Sequence, residues 1–218
     1  MKVVLDGLGH RFPGQPFLFR GLSATLLPDR VYALVGPSGS GKSTLLSLLA
    51  GWLHPSEGTV DRHGVARVGW VFQNPHGVAR RTALDHVVLP LLTQGHPRRE
   101  AEDRARTLLA RFGLEDVADR EFAALSGGEA QRLVLARGIA ARPELFLVDE
   151  PTAQLDARTA AQVSSTLGGL AREGTVVVVA THDAQTRAAC TDTLDLTACA
   201  DLTARAVRGV DPVRGVGA

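Results

Sequence analysis

Gly36-Pro37-Ser38-Gly39-Ser40-Gly41-Lys42-Ser43-Thr44 is the stretch from which the rest of this 218-residue chain can be read. The apolar run before it, Val31-Tyr32-Ala33-Leu34-Val35, reads as a strand buried on both faces. The run behind it, Leu45-Leu46-Ser47-Leu48-Leu49-Ala50, is rich in strong helix formers. Strand, glycine loop and helix make a phosphate cradle. Gly36, Gly39 and Gly41 let successive backbone amides turn toward one anion, and the helix N-terminus adds a partial positive charge. In that setting Lys42 would reach the β- and γ-phosphates of a nucleotide, and the Ser43 hydroxyl would ligate Mg²⁺. Of the 24 basic residues only Lys2 and Lys42 are lysines. A chain so committed to arginine keeps a lysine at 42 where a compact ammonium on a thin stem is needed.

The whole chain sets bounds on this reading. Its formal net charge is +1, with acids and bases interspersed, so no broad basic field invites nucleic acid. Hydrophobic residues make up 44% of the chain, ample for a core, yet no apolar stretch approaches the roughly 20 residues of a membrane span. The apolar run at Val3-Val4-Leu5 is too short for a signal peptide. Cys190 and Cys199 form no CxxC, and the seven histidines have no metal-ligand spacing. The expectation is a cytosolic globular protein of one domain.

Outward from the glycine loop, residues 3–8 and 22–27 read as strands, with Pro28-Asp29 turning into the strand before the loop. Between them Phe12, Phe17 and Phe19 supply rings, one of which could stack on a nucleotide base. Beyond the first helix, His54-Pro55-Ser56-Glu57-Gly58 reads as a turn and Arg67–Gln73 as a strand. Gln73, at that strand's end, is either a surface amide or a group that touches a metal or an attacking water. Residues 82–142 look helical almost throughout. Thr82 is a cap, Pro97 a first-turn residue, and Ala101, Ala105, Leu108, Leu109 and Phe112 share one face of a helix that Gly113 ends.

A second anion site emerges at Leu125-Ser126-Gly127-Gly128-Glu129-Ala130-Gln131-Arg132. Ser126 and Glu129 form a capping box. Two glycines in the first turn weaken the helix by about 1 kcal/mol each against alanine, which suggests that bare amides are wanted there. Glu144-Leu145-Phe146-Leu147-Val148-Asp149-Glu150 is then a buried strand ending in two acids, at the sheet edge where ligands collect. Asp149 suits Mg²⁺, and Glu150 suits polarising a nucleophilic water. Asp156 caps a helix whose Ala160, Val163, Leu167, Leu170 and Ala171 share a face, and Gly174 closes it. Thr175–Ala180 is a further buried strand that delivers Thr181-His182-Asp183 to the same edge. From Thr193 the chain offers a short strand and a Gly/Arg-containing tail.

With these stretches in hand, roughly Val3 to Leu196 resembles the ATP-binding subunit of an ABC transporter. The ordered set is GPSGSGKST at 36–44, VFQ ending at Gln73, LSGGE at 125–129, LFLVDE at 145–150, LD at 155–156 and TH at 181–182. The resemblance implies an α/β fold: a RecA-like P-loop NTPase core with a mostly parallel sheet, an antiparallel β subdomain and an inserted helical subdomain at about 79–142. It implies that two such domains close head to tail, each ATP lying between one P-loop and Ser126, Gly127, Gly128 and Glu129 of the other. Ser43, Gln73 and Asp149 would attend Mg²⁺, Glu150 would be the general base, His182 would contact the γ-phosphate, and Asp156 would lie at the dimer seam. Phe12 matches the base-stacking position, which is commonly tyrosine. Ala153-Gln154 replaces the commoner Ser-Ala, and Gly138 replaces a usual alanine.

The implied partners are a second copy or a related ATPase subunit, and transmembrane permease subunits on separate chains that hold this one at the inner face of the membrane. The compact length, the GEAQR continuation and DEPT look like subunits of lipoprotein, peptide or macrolide export. The short link from Gly58 to Phe72 is similar to small-molecule importers. A soluble ABC ATPase in cluster assembly is the alternative from another class.

Overall fold

The computed structural model describes residues 1–153, 155–170 and 174–199. Strands β1 (Lys2–His10), β2 (Phe19–Leu26) and β3 (Arg30–Val35) precede the glycine loop and helix α1 (Lys42–Ala50); β4 (Glu57–His63) and β5 (Val68–Val71) follow. Helices α2 (Ala83–Thr93), α3 (Arg98–Arg111) and α4 (Gly127–Ala140) come next. The chain continues through β6 (Leu145–Asp149), α5 (Ala157–Gly169), β7 (Val176–Ala180), α6 (Ala184–Ala189) and β8 (Asp192–Asp195). Gln154, Ala171 and the tail from Ala200 lie outside the described residues.

The core sheet runs β5-β6-β7-β3-β8, and every pairing in it is parallel. Its central strands are apolar on both faces because helices cover both. Leu145, Leu147, Val176 and Val178 pack toward α1 and the second sheet, while Phe146, Val148, Val177 and Val179 pack toward α2–α5. Parallel register has a direct consequence for function. Val71 pairs with Val148, Asp149 with Ala180, and Ala180 with Leu34, so β5, β6, β7 and β3 end at one edge. The glycine loop, Gln73, Glu150 and His182 all leave from that edge.

The second sheet, β2-β1-β4, is antiparallel. Here the reading of residues 54–58 as a turn needs correction, because β4 already begins at Glu57. Its sequence, Glu57-Gly58-Thr59-Val60-Asp61-Arg62-His63, has one apolar residue, so no alternation marks it. Pairing with β1 holds it as an edge strand, Val60 opposite Leu5. Gly58 permits this: it sits at φ 72°, and a Cβ there would run into the backbone of Asp6 and Gly7, where the register shifts.

The helical segment forms as expected, with adjustments. Thr82 caps α2, its hydroxyl accepting from the Asp85 amide at 3.1 Å. Pro97 is the N-cap of α3 rather than its first helical residue. Short 3-10 turns at Glu115–Val117 and Phe122–Ala124 interrupt the stretch between α3 and α4. The departure at Gly138 has a packing cause: a Cβ there would lie 2.7 Å from the ring of Phe146. A bulkier aromatic in β6 is accommodated by removing a methyl group from α4.

Candidate nucleotide site

The glycine loop closes tightly over β2. Gly41, the residue before α1, sits at φ 95°, and a Cβ on it would approach the Phe19 ring at 3.0 Å. No side chain caps α1, so its first amides are left without a side-chain partner. Within the loop the Lys42 ammonium donates to the Gly36 carbonyl at 2.9 Å, and the Ser40 amide donates to Pro37 at 3.1 Å. The Ser40 hydroxyl is buried without a partner. An inward-turned ammonium, open helix amides and an orphaned hydroxyl together fit an oligophosphate.

Ser43 donates from Oγ to Asp149 Oδ2 at 2.7 Å, joining the start of α1 to the end of β6. Burial pushes the Asp149 carboxyl above the usual range; the Ser43 hydrogen bond opposes this, Glu150 adds to it, and Lys42 opposes it. A carboxylate desolvated in this way gains from any cation placed beside it. Among the described residues no group of three or more His, Cys, Asp or Glu could hold a metal. A hydroxyl and one carboxylate fit Mg²⁺, which keeps most of its shell as water and substrate phosphate oxygens.

Glu150 follows β6 in the left-handed region at φ 46°, a conformation that costs a non-glycine residue energy and that gathers at functional sites. Its amide donates to Ala180 at 2.9 Å. The Glu150 side chain is only 12% exposed, and its Oε2 lies 2.8 Å from Nδ1 of His182, which is 71% exposed. The pair is at ion-pair distance but is not aligned as a hydrogen bond. Gln73 lies exposed in the bend beyond β5. Among the three upstream rings, Phe19 is wholly buried and Phe17 is covered by the guanidinium groups of Arg11 and Arg20, at 5.0 and 4.3 Å. Phe12 stays exposed, meeting the His10 ring edge to face at 5.1 Å.

The second cradle lies apart. The Ser126 hydroxyl accepts from the Glu129 amide at 3.3 Å, and the Glu129 carboxylate accepts from the Ser126 amide at 2.7 Å. That backbone hydrogen bond is the main cause holding the Glu129 carboxyl below its usual range. The capping box leaves Gly127 and Gly128 bare, with Leu155 of the β6–α5 connection 3.2 Å from where a Gly128 Cβ would sit. Asp156 caps α5, accepting from the Thr159 amide at 3.1 Å and the Thr159 hydroxyl at 2.7 Å. Among the described residues no hydrogen bond or ion pair joins the Ser126 turn to the loop at 36–44. One chain thus carries two separate anion-ready helix starts.

A sequence model of the ABC transporter family matches residues 19–153. The chain belongs to the ABC transporter family. It is similar to the lipoprotein-releasing system ATP-binding protein LolD of Cereibacter sphaeroides, 43% identical over 83% of this chain and 90% of that one. The L-cystine transport system ATP-binding protein TcyN of Escherichia coli is 35% identical over 83% and 80%. Among solved structures, a dimeric ATP-binding cassette in a post-hydrolysis state with ADP and Pi superposes with a TM-score of 0.77. It is 28% identical, over 88% of this chain and 93% of that one. This ABC subunit is therefore an ATP-hydrolysing component of a transporter, and its α/β fold is that of the solved cassettes. None of its described helices is long and apolar enough to cross a membrane.

Two features of the ABC subunit escaped sequence reasoning. Trp52, Trp70 and Phe72 form a stack, with ring centroids 4.6 Å apart for the tryptophans and 5.0 Å for Trp70 and Phe72. Trp52 is 64% exposed and Phe72 is also exposed. Trp52 lies two residues beyond α1, Trp70 in β5 and Phe72 just past it, and only the fold unites them. The other feature is His86, one of seven scattered histidines, which is buried in α2.

Proposed function

We propose that two copies of this subunit close head to tail on two ATP molecules and, through permease subunits on separate chains, drive export of a lipid-modified or similarly amphipathic cargo. The observation that carries the pairing is the presence of two unconnected phosphate-ready helix starts on one chain. A triphosphate held in the loop at 36–44 has no second wall until Ser126-Gly127-Gly128 of another copy covers it. The dimeric cassettes among the structural neighbours support the same arrangement. The lipoprotein-releasing relatives support the cargo class.

In this reading Lys42 and the amides of residues 36–44 hold the phosphates, and Phe12 stacks on the base. Ser43, Asp149 and Gln73 attend Mg²⁺, which neutralises charge on the phosphate oxygens. Glu150 takes a proton from water as the water oxygen bonds to the γ-phosphorus and the bond to the ADP oxygen breaks. His182, beside Glu150, faces the γ-phosphate and limits where the carboxylate can swing. Glu129 keeps the Ser126 turn in shape, and Asp156 lies near the seam. Most of the acceleration is positioning and charge neutralisation.

The exposed Trp52–Trp70–Phe72 stack, one residue from Gln73, supports docking of a permease segment there, since exposed aromatic clusters of this kind are interaction sites. Reconstitution with its membrane subunits in liposomes tests the proposal. ATP-dependent release of a lipidated cargo is expected, and Trp52→Ala should keep basal hydrolysis while losing stimulation by the membrane subunits. ATP-driven uptake of a small solute such as an amino acid would replace export by import. Hydrolysis that no membrane subunit binds or stimulates would favour an assembly ATPase.

A further inference from the structure

We propose that His86 is a positioning residue that pins the loop following Gln73 to the helical segment, so that this loop and the Ser126 turn move as one unit. The inference rests on the two-copy ATP site proposed above. His86 is 4% exposed. Its Nδ1 lies 2.7 Å from the Thr82 carbonyl, and the Val78 amide donates to its Nε2 at 2.9 Å. A carbonyl on one side and an N–H on the other require a single neutral tautomer, with the proton on Nδ1 and the lone pair on Nε2. The ring is also 5.4 Å from that of Phe122.

The loop is held from three directions. Arg137 of α4 donates to the His76 carbonyl at 3.1 Å. The Phe122 amide donates to Arg81 at 2.9 Å and the Ala123 amide to Ala79 at 3.1 Å. Gly77 lies so close under the Phe122 ring that any Cβ would overlap it. His86 supplies the contact from α2. Residues 122 and 123 stand just before Ser126, so the segment tied to the Gln73 loop leads straight into the second cradle. Protonation of His86 would remove the acceptor that Val78 uses. Burial, Arg137 of α4 and Arg81 of the loop all oppose that protonation, while the Thr82 carbonyl and Asp85 of α2 favour it.

His86→Leu keeps the apolar volume and removes both hydrogen bonds. His86→Gln returns an acceptor near the position of Nε2. The expected result is a kcat about tenfold lower for the leucine variant, with the Kd for ATP changed less than about twofold, and recovery by glutamine to within about threefold. An unchanged kcat in the leucine variant, or a loss that folded glutamine variant fails to relieve, overturns the inference. Should the leucine variant not fold, hydrogen exchange on the chain with His86 intact decides. Adding Mg-ATP should change protection of residues 76–81 and 122–126 together, and a change in one segment alone overturns it. A Glu150→Gln control separates the two levels: normal turnover there sinks the proposed site itself, whereas its loss beside a fully active His86→Leu sinks only the role of His86.

Discussion

Glu150→Gln is expected to lower steady-state ATP turnover roughly 10²–10⁴-fold while leaving ATP-driven pairing of the subunits intact. The substitution keeps shape and hydrogen-bonding reach but removes the charge that, in the proposed mechanism, accepts the water proton. The carboxylate sits 2.8 Å from His182 Nδ1 and is largely enclosed, so no other described acid on this strand end is placed to substitute for it except Asp149, which is engaged by Ser43. Phosphate-release assays at saturating Mg-ATP measure the turnover, and sedimentation with ATP measures the pairing. With hydrolysis blocked, the closed pair should accumulate and migrate at twice the protomer mass. Turnover within a few fold of the parent would remove Glu150 as the base.

Ser126→Glu should abolish the pairing and reduce turnover by about 10² or more, an effect of the size seen when one preorganised contact to developing charge is lost. The new carboxylate sits at a helix start, where the α4 dipole favours it although the Ser126 cap is lost, so the fold should survive with a loss of about 1 kcal/mol. In the proposed pair it would face the γ-phosphate held by the other copy, bringing like charge against like. The protomer's own loop at 36–44 is untouched, so ATP should bind a single copy as before. Sedimentation of Ser126→Glu in the Glu150→Gln background checks this: a protomer that binds ATP and stays single is expected. A stable ATP-bound pair would show that the Ser126 turn does not face nucleotide.

Much of this architecture was legible because its signals are local. The fully apolar runs at 31–35, 145–148 and 176–180 read as doubly covered strands, and the strand–loop–helix at 31–50 needs no distant contact to be recognised. The capping box at Ser126 and Glu129 is likewise written within four residues. What resisted reading depends on partners far along the chain. The polar edge strand β4 exists because β1 pairs with it, not because of its own pattern. Which of Phe12, Phe17 and Phe19 stays exposed is decided by the packing of Phe19 under Gly41 and by two arginines over Phe17. His86 gave no signal at all, since both of its partners are backbone groups.

The most direct test of the shared pocket is the ATPase rate per subunit of the unsubstituted chain, followed through a dilution series at saturating Mg-ATP. Two half-sites on separate copies predict a rate per subunit that falls as the protein is diluted, approaching second-order dependence when pairs become rare. A rate per subunit that stays constant across about a hundredfold dilution, with the protein sedimenting as a single protomer throughout, would contradict the account.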